Sequence, residues 1–254
     1  VSELTARPAE LSVLVGRCVR LSRRNVDALL TSLLLPVILM LLFVYLFGGA
    51  IDTGGAYVTY VVPGVLLLCA GFGAAGTAVS VTTDLTNGVV ERLRTMDVAA
   101  TAIVGGHVAA SVARNMVSTV LVLGVAVAIG FRPAADPLRW LAAAGVLLLF
   151  LLAVSWLSAA FGLLARTPEA ASGFTFLVMF LPYPSSAFVP VETMPTWLRG
   201  FADHQPVTPV IETLRALLLA TPAGAAPARA VAWCLGILAA SMVLAALLFR
   251  RRVA

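Results

Sequence analysis

Apolar positions along this chain gather into six stretches that contain no Asp, Glu, Lys or Arg: residues 28–51, 57–83, 115–131, 140–165, 170–191 and 230–249. The charged residues fall in the short connectors between them. A hydrocarbon core about 30 Å thick takes roughly 20 residues of helix to cross, and most of the stretches reach that length. A helix can cross alone because its backbone donors and acceptors are satisfied within the segment. The pattern predicts an all-α polytopic membrane protein, a single membrane domain over residues 1–254. Its six transmembrane helices are expected at about 28–48, 57–79, 112–131, 138–164, 171–187 and 230–249.

Finer spacing adds detail. Over residues 9–24, Leu11, Leu14, Val15, Cys18 and Leu21 recur at helical intervals while Arg17, Arg20 and Arg24 share another face. That pattern predicts an amphipathic interface helix within a cytoplasmic segment, 1–27. Pro36 is a tolerated kink in span one. Gly71, Gly73 and Gly76 in span two, and Ser155, Ser158, Ala159 and Gly162 in span four, form small faces that another backbone can approach closely. Between Thr83 and His107 the residues Leu85, Val89, Leu93 and Met96 keep three- and four-residue spacing, which predicts a short amphipathic helix. Arg114 is expected to snorkel from the inner end of span three. A tight turn is expected at Arg166-Thr167-Pro168-Glu169, and Pro182 and Pro184 end or kink span five. The segment Ser185–Arg229 is too apolar for a water-filled loop. Two short re-entrant outer helices, about 195–203 and 207–220, are expected there between spans five and six.

Arginine placement sets the orientation. All 17 basic residues are Arg. With the N-terminus inside, only Arg132, Arg139, Arg199, Arg215 and Arg229 lie outside, so both termini are expected in the cytoplasm. Ser22-Arg23-Arg24 is read as orienting the first helix. The apolar run after it exceeds the 7–15 residues of a signal peptide.

Composition narrows the chemistry. Hydrophobic residues make up 61% and charged residues 11%, against about 25% charged in globular domains. With no Lys there is no P-loop lysine and no Schiff-base nucleophile, so no ATP site and no enzyme activity are expected of this chain. Cys18, Cys69 and Cys234 form no CxxC pair, and His107 and His204 fall at opposite membrane faces, so no metal site is expected. The net charge of +5 is spread over helix ends and does not point to nucleic acid. Catalytic residues are not expected. The scarcity of carboxylates within the spans argues against an ion- or proton-coupled carrier, which is the alternative reading. Phe72, Phe174, Phe176, Met179, Phe180 and Tyr183 offer adaptable apolar contacts for a greasy cargo. Glu192, Trp197, Glu212 and Arg215, in the outer segment, are candidates for an outer gate, where charges need partners.

The frame as a whole, together with Phe188-Val-Pro-Val-Glu-Thr-Met-Pro-Thr-Trp-Leu-Arg199, Gln205-Pro-Val-Thr-Pro209, Glu212-Thr-Leu-Arg215 and Glu91-Arg92-Leu93-Arg94, resembles the permease subunits of type-2 ABC exporters, in the daunorubicin-resistance branch. The resemblance covers nearly the whole chain. It implies a cytoplasmic ATP-binding subunit in two copies, which binds ATP and Mg, and a second permease, identical or homologous. The cargo would be a hydrophobic or amphipathic drug, antibiotic or lipid exported across the plasma membrane. It also implies an ATPase-coupling surface at Glu91, Arg92, Leu93 and Arg94, with Arg166 and Glu169 as a secondary contact, and a pathway near spans one, two and five.

Overall fold

The computed structural model describes residues 15–17, 26–51, 55–95 and 100–253. Among the described residues the backbone is helical, with turns and short irregular links and no strand. Residues 15–17 are helical. The rest of the expected N-terminal interface helix lies outside the described residues, as do Met96 and Asp97. The side chains of Leu93, Arg94 and Met179 also lie outside them.

Helix α1, Val26–Leu42, runs on into a π-helical turn, Phe43–Phe47. It is followed by α2 (Tyr57–Thr86), α3 (Val89–Thr95), α4 (Ala100–Ala128), α5 (Pro137–Leu164) and α6 (Pro168–Phe180). After a 3-10 turn at Val191–Thr193 come α7 (Thr196–His204), α8 (Val207–Leu218) and α9 (Ala226–Val253). Among the described residues α2, α4, α5 and α9 are long and apolar enough to cross a membrane. Helix α1 and its π turn carry a shorter apolar segment, Leu34–Phe47, and α6 has 13 residues.

Local chemistry explains the helix ends. The Asp136 carboxylate accepts the Arg139 N–H at 2.8 Å and Pro137 opens α5, an N-cap followed by the one helical position where proline costs no hydrogen bond. Thr167 and Pro168 repeat the device at α6. Gly88, at φ +70°, turns the chain from α2 into α3 through the left-handed region that only glycine enters without strain.

Helix α2 is the axis of the bundle. It packs against α1, α4, α5 and α6 and touches α8. Its small residues allow this: a Cβ on Gly64 would stand 2.7 Å from Ala187, and one on Gly162 of α5 would stand 2.5 Å from the Ala78 carbonyl oxygen. Backbones that approach this closely gain dispersion contacts that larger residues would forbid. The Thr82 hydroxyl donates to the Gly162 carbonyl at 2.8 Å across the same crossing. Helix α9 lies outside, against α5 and α8, and shows an apolar face that includes Val231, Leu235, Val243 and Leu247. Such a face suits a helix solvated by lipid.

The expected connector is shorter than Thr83–His107. Helix α2 continues past Val79 to Thr86 and α4 already begins at Ala100. At 1.5 Å per residue α2 is about 45 Å long, more than a hydrocarbon core needs. A second hydrophobic cluster seals this connector end: Val81, Val90, Ile103, Val104, Val108, Leu163, Ala245 and Phe249.

Candidate functional site

Most of α2 is buried, but one stripe of it is open. Gly71 meets Val178 of α6 on one side, and on the other Gly73 is so close to Asn115 of α4 that a Cβ would stand 1.7 Å from Asn115 Oδ1. Between these two contacts Phe72 is half-buried, while Gly76 and Ser80, one and two turns further on, are exposed. A Cβ on Gly76 would meet nothing within 4 Å. Residues at this spacing share a helix face. The result is an open stripe along the connector-side half of α2, between its contacts with α4 and α6.

Aromatic side chains gather near the start of α2, the end away from the connector. The rings of Phe47, Phe43, Phe188, Tyr183 and Phe180 form one continuous ladder, with successive centroids 5.5, 4.2, 5.3 and 5.7 Å apart. It joins the π turn after α1, the loop after α6 and α6 itself. The Tyr57 hydroxyl anchors its centre by donating to the Phe188 carbonyl at 2.8 Å.

The expected pathway aromatics separate into two groups. Phe176 and Phe180, one turn apart on α6, are 60% and 57% exposed, and Phe180 and Tyr183 belong to the ladder. Phe174 turns inward and stacks on Phe161 of α5, with centroids 3.6 Å apart.

Beyond the ladder, Arg215 of α8 organises the loop end. Its Nη2 donates to the Ser186 carbonyl at 2.7 Å and to the Tyr60 carbonyl at 3.2 Å, and its carbon Cζ lies 3.8 Å above the Tyr60 ring. The guanidinium is therefore held by two carbonyl dipoles and a ring. Glu212 pairs with Arg229 at 3.5 Å, and burial pushes its carboxyl above the ordinary range, opposed by Arg229 and Arg215. Arg199 donates to the carbonyls of Met194, at 2.7 Å, and of Glu192, so the backbone of the Glu192 turn is tied to α7. Trp197 is 78% exposed. Of the four gate candidates, Arg215 and Glu212 sit in one partly buried cluster, while the side chains of Glu192 and Trp197 face outward.

At the connector end, Val90 is buried in the bundle while Glu91 and Arg92 on the same helix are exposed. Arg166 and Glu169, in the α5–α6 turn at this end, are exposed as well. Beside α3 lies a charged cluster absent from the sequence-based candidates. Arg17 grips Asp84 with both terminal nitrogens, at 2.8 and 3.2 Å, and His107 Nε2 is 3.1 Å from the same carboxylate. It ties the N-terminal segment to α2 and α4. Its members stand 67 and 23 residues apart in sequence; the available signal was their common place at helix ends on one membrane face.

Arg114 departs from expectation. Instead of snorkelling toward the interface, its Nη2 donates to the Gly73 carbonyl of α2 at 3.4 Å. Val108 shares a cluster with Phe249, the last residue before Arg250. Arg114 lies six residues, about 9 Å, further along α4 from Val108. Next to it Asn115 donates to Ser111 at its carbonyl (3.1 Å) and hydroxyl (3.4 Å), and Ser111 meets Ser155 of α5 at 3.1 Å. The bundle thus holds a polar layer where α4 meets α2 and α5. No cluster of residues fit to hold a metal occurs among the described residues.

A model of the ABC-2 type transporter family matches residues 9–219, a region that takes in α1 to α8. The chain is 33% identical over 195 residues to the daunorubicin resistance ABC transporter permease protein DrrB1 of Streptomyces coeruleorubidus, covering 76% of its own length and 69% of the relative's. It is 22% identical over 230 residues, 90% of its length and 83% of the relative's, to the probable doxorubicin resistance ABC transporter permease protein DrrC of Mycobacterium tuberculosis.

Proposed function

Since this chain belongs to the ABC-2 type transporter family, with relatives that are membrane permeases of drug-resistance ABC transporters, we propose that it is the permease of an ATP-driven exporter of hydrophobic or amphipathic compounds in a bacterial plasma membrane. Helices α1, α2, α4, α5, α6 and α9 supply six spans, with both termini in the cytoplasm. The α7–α8 segment re-enters the outer leaflet, and the Arg215 cluster with the Glu192 turn and Trp197 forms the outer gate. A second permease, identical or homologous, completes the pathway.

The observation that carries this reading is the amphipathic placement of α3. Its Val90 is sunk in the bundle and its Glu91 and Arg92 point outward, as a helix built to meet a second protein requires. With Leu93, Arg94, Arg166 and Glu169 this end forms the docking surface for two copies of a cytoplasmic ATP-binding subunit, which carries ATP and Mg. Closure of the ATPase pair moves α3. Because α3 is bonded to the α2–α4–α5 cluster, that motion biases the open stripe between two states, to the extent that ATP favours one of them. The open stripe at Phe72, with Phe176, Met179, Phe180 and Tyr183 along α6, receives the cargo, and Phe174 holds α6 on α5.

The test is coupling. Charge reversal of Glu91 and Arg92 together is expected to abolish copurification with the ATP-binding subunit while membrane insertion and thermal stability stay unchanged. Undiminished copurification and cargo-stimulated ATP hydrolysis in that variant would sink the assignment.

A further inference from the structure

We propose that the pocket between the end of α8 and the start of α9 holds the headgroup of a zwitterionic aminophospholipid, with its phosphate on Arg229 and its ammonium on Glu212. The inference rests on reading α9 as the last span, with this pocket at the outer-leaflet surface, and adds a resident lipid to the outer gate.

The walls follow from local sequence. Helix α8 ends as the Leu219 N–H donates to the Arg215 carbonyl and the Thr221 N–H reaches back to the Ala216 carbonyl, both at 3.0 Å. Ala220, between them, sits at φ +57°, the left-handed residue that such a cap requires. Pro222 follows, where the helix has already stopped. Gly224, at φ +52°, turns the chain again just before α9 opens at Ala226. Between this loop and the two helices lies an open cavity of about 410 Å³, lined by Thr221, Gly224 and Ala225 of the loop and by Glu212, Arg215 and Arg229.

The charges of the cavity suit a ligand that carries both signs. Arg229 and Glu212 face each other at 3.5 Å, wider than the about 2.7–2.9 Å of a charge-assisted hydrogen bond. Their side chains are 53% and 35% exposed, so each remains accessible beside the other. Arg215 lines the cavity behind them while its Nε and Nη2 hold the Tyr60 and Ser186 carbonyls. Asp203 and Glu192 add negative potential at Glu212. A simple anion at Arg229 therefore meets nearby carboxylates, and a simple cation at Glu212 meets nearby guanidiniums. A phosphate joined by a short link to an ammonium satisfies both. Arginine presents its donors as a planar fork matched to phosphate, and a primary ammonium donates to a carboxylate. A choline headgroup has no N–H to offer Glu212.

The helix beyond the cavity supplies the place for acyl chains. Arg229, Ala232, Trp233, Gly236 and Ala240 follow the three- and four-residue spacing of one helix face, and all are exposed. A Cβ on Gly236 would meet nothing within 4 Å. This face is a shallow apolar track that leads away from the cavity. Trp233, one turn from Arg229, is a residue type that favours the headgroup level. A pocket for charge that continues into an apolar track fits a membrane lipid better than a soluble zwitterion.

The test titrates the full chain, delipidated in a nonionic detergent, with phosphatidylethanolamine, phosphatidylcholine and phosphatidylglycerol of identical acyl chains. Native mass spectrometry reads the affinity for the first bound lipid. Phosphatidylethanolamine is expected to bind about tenfold more tightly than either of the others, the scale of one charge-assisted hydrogen bond. Glu212→Gln is expected to erase that advantage. Arg229→Gln is expected to weaken all three lipids, and Arg229→Lys to keep part of the affinity. Ala225→Trp, which fills the cavity and leaves its charges in place, is expected to weaken phosphatidylethanolamine as well. Arg139→Gln, on α5 at the same end but outside the cavity, is expected to change nothing. Equal affinity for the three lipids in the parent, an unchanged preference in Glu212→Gln, or the same losses in Arg139→Gln would overturn the proposal. So would competition by soluble glycerophosphoethanolamine as effective as that of the whole lipid, which would mean that the site takes a free zwitterion. Should the charge variants fail to fold, Ala225→Trp still decides it: unchanged phosphatidylethanolamine binding there would overturn the proposal. Because binding is read without ATP or a partner, headgroup-selective binding by a chain that exports nothing would sink the exporter reading alone. ATP-driven export by a chain with no headgroup preference would sink the lipid site alone.

Discussion

Two alanine substitutions on one helix measure how much the bundle depends on close backbone approach. At Gly162 an added Cβ would lie 2.5 Å from the Ala78 carbonyl oxygen and 3.0 Å from Val81 Cβ. That is about 0.9 Å inside ordinary van der Waals contact with a backbone atom that no rotamer change can move. At Gly145, also on α5, an added Cβ would meet nothing within 4 Å. Both substitutions gain the same helix propensity, about 0.8–1.0 kcal/mol, so their difference isolates the α2–α5 crossing. Overpacking costs about 1–3 kcal/mol. Parting the helices also strains the Thr82–Gly162 hydrogen bond, worth about 0.6 kcal/mol in membrane proteins. Gly162→Ala should therefore be about 1.5–3.5 kcal/mol less stable than Gly145→Ala. Thermal unfolding in detergent should show this as a melting temperature lower by several degrees, at about 2–4 °C per kcal/mol for a chain of this size. Thr82→Val, which removes the hydrogen bond and adds no atom against α5, should cost less than 1 kcal/mol. Equal melting temperatures for the two alanine variants would refute the argument.

Other outcomes follow from the same contacts. Asp84→Asn removes the charge that holds Arg17 and His107; a loss of about 1–3 kcal/mol and faster tryptic cleavage at Arg17 are expected, and unchanged cleavage would show that the contact does not restrain the N-terminal segment. Arg215→Lys keeps the charge but loses the fork across Tyr60 and Ser186 and the flat face on the Tyr60 ring, so a cost of about 2 kcal/mol in thermal unfolding is expected, and stability equal to the parent would contradict it. In a cysteine-free background, a cysteine at Thr196 should react with an impermeant thiol reagent added to intact cells and one at Val253 should not. External labelling at Val253 would reverse the topology.

The helices were legible because their signals are local. The apolar content of residues 185–229 predicts helices at about 195–203 and 207–220, within two residues of the observed bounds of α7 and α8. Of the small-residue faces, Gly162 of span four does meet α2, at Ala78, whereas Gly71 and Gly73 of span two meet α6 and α4 and Gly76 meets nothing. What sequence could not show depends on where distant segments meet. The Arg17–Asp84–His107 cluster joins three separate segments. Only the packed bundle reveals that Arg114 turns across to α2 rather than along α4, and only there do the π turn, α6 and the loop after it bring five aromatic rings into line. The outer charges illustrate the same limit. Burial makes partners necessary, but periodicity does not say that Arg215 would take carbonyls and a ring while Glu212 took Arg229.

The central claim is that this permease is driven by a separate ATPase gripping α3. The most direct measurement is cargo uptake into inside-out vesicles that contain the chain and its ATP-binding subunit, with a fluorescent amphipathic dye as a first cargo. Uptake is expected to need ATP, to survive collapse of the proton gradient, and to vanish in the Glu91→Arg, Arg92→Glu double variant. Uptake that persists without ATP and follows an imposed proton gradient would contradict the account.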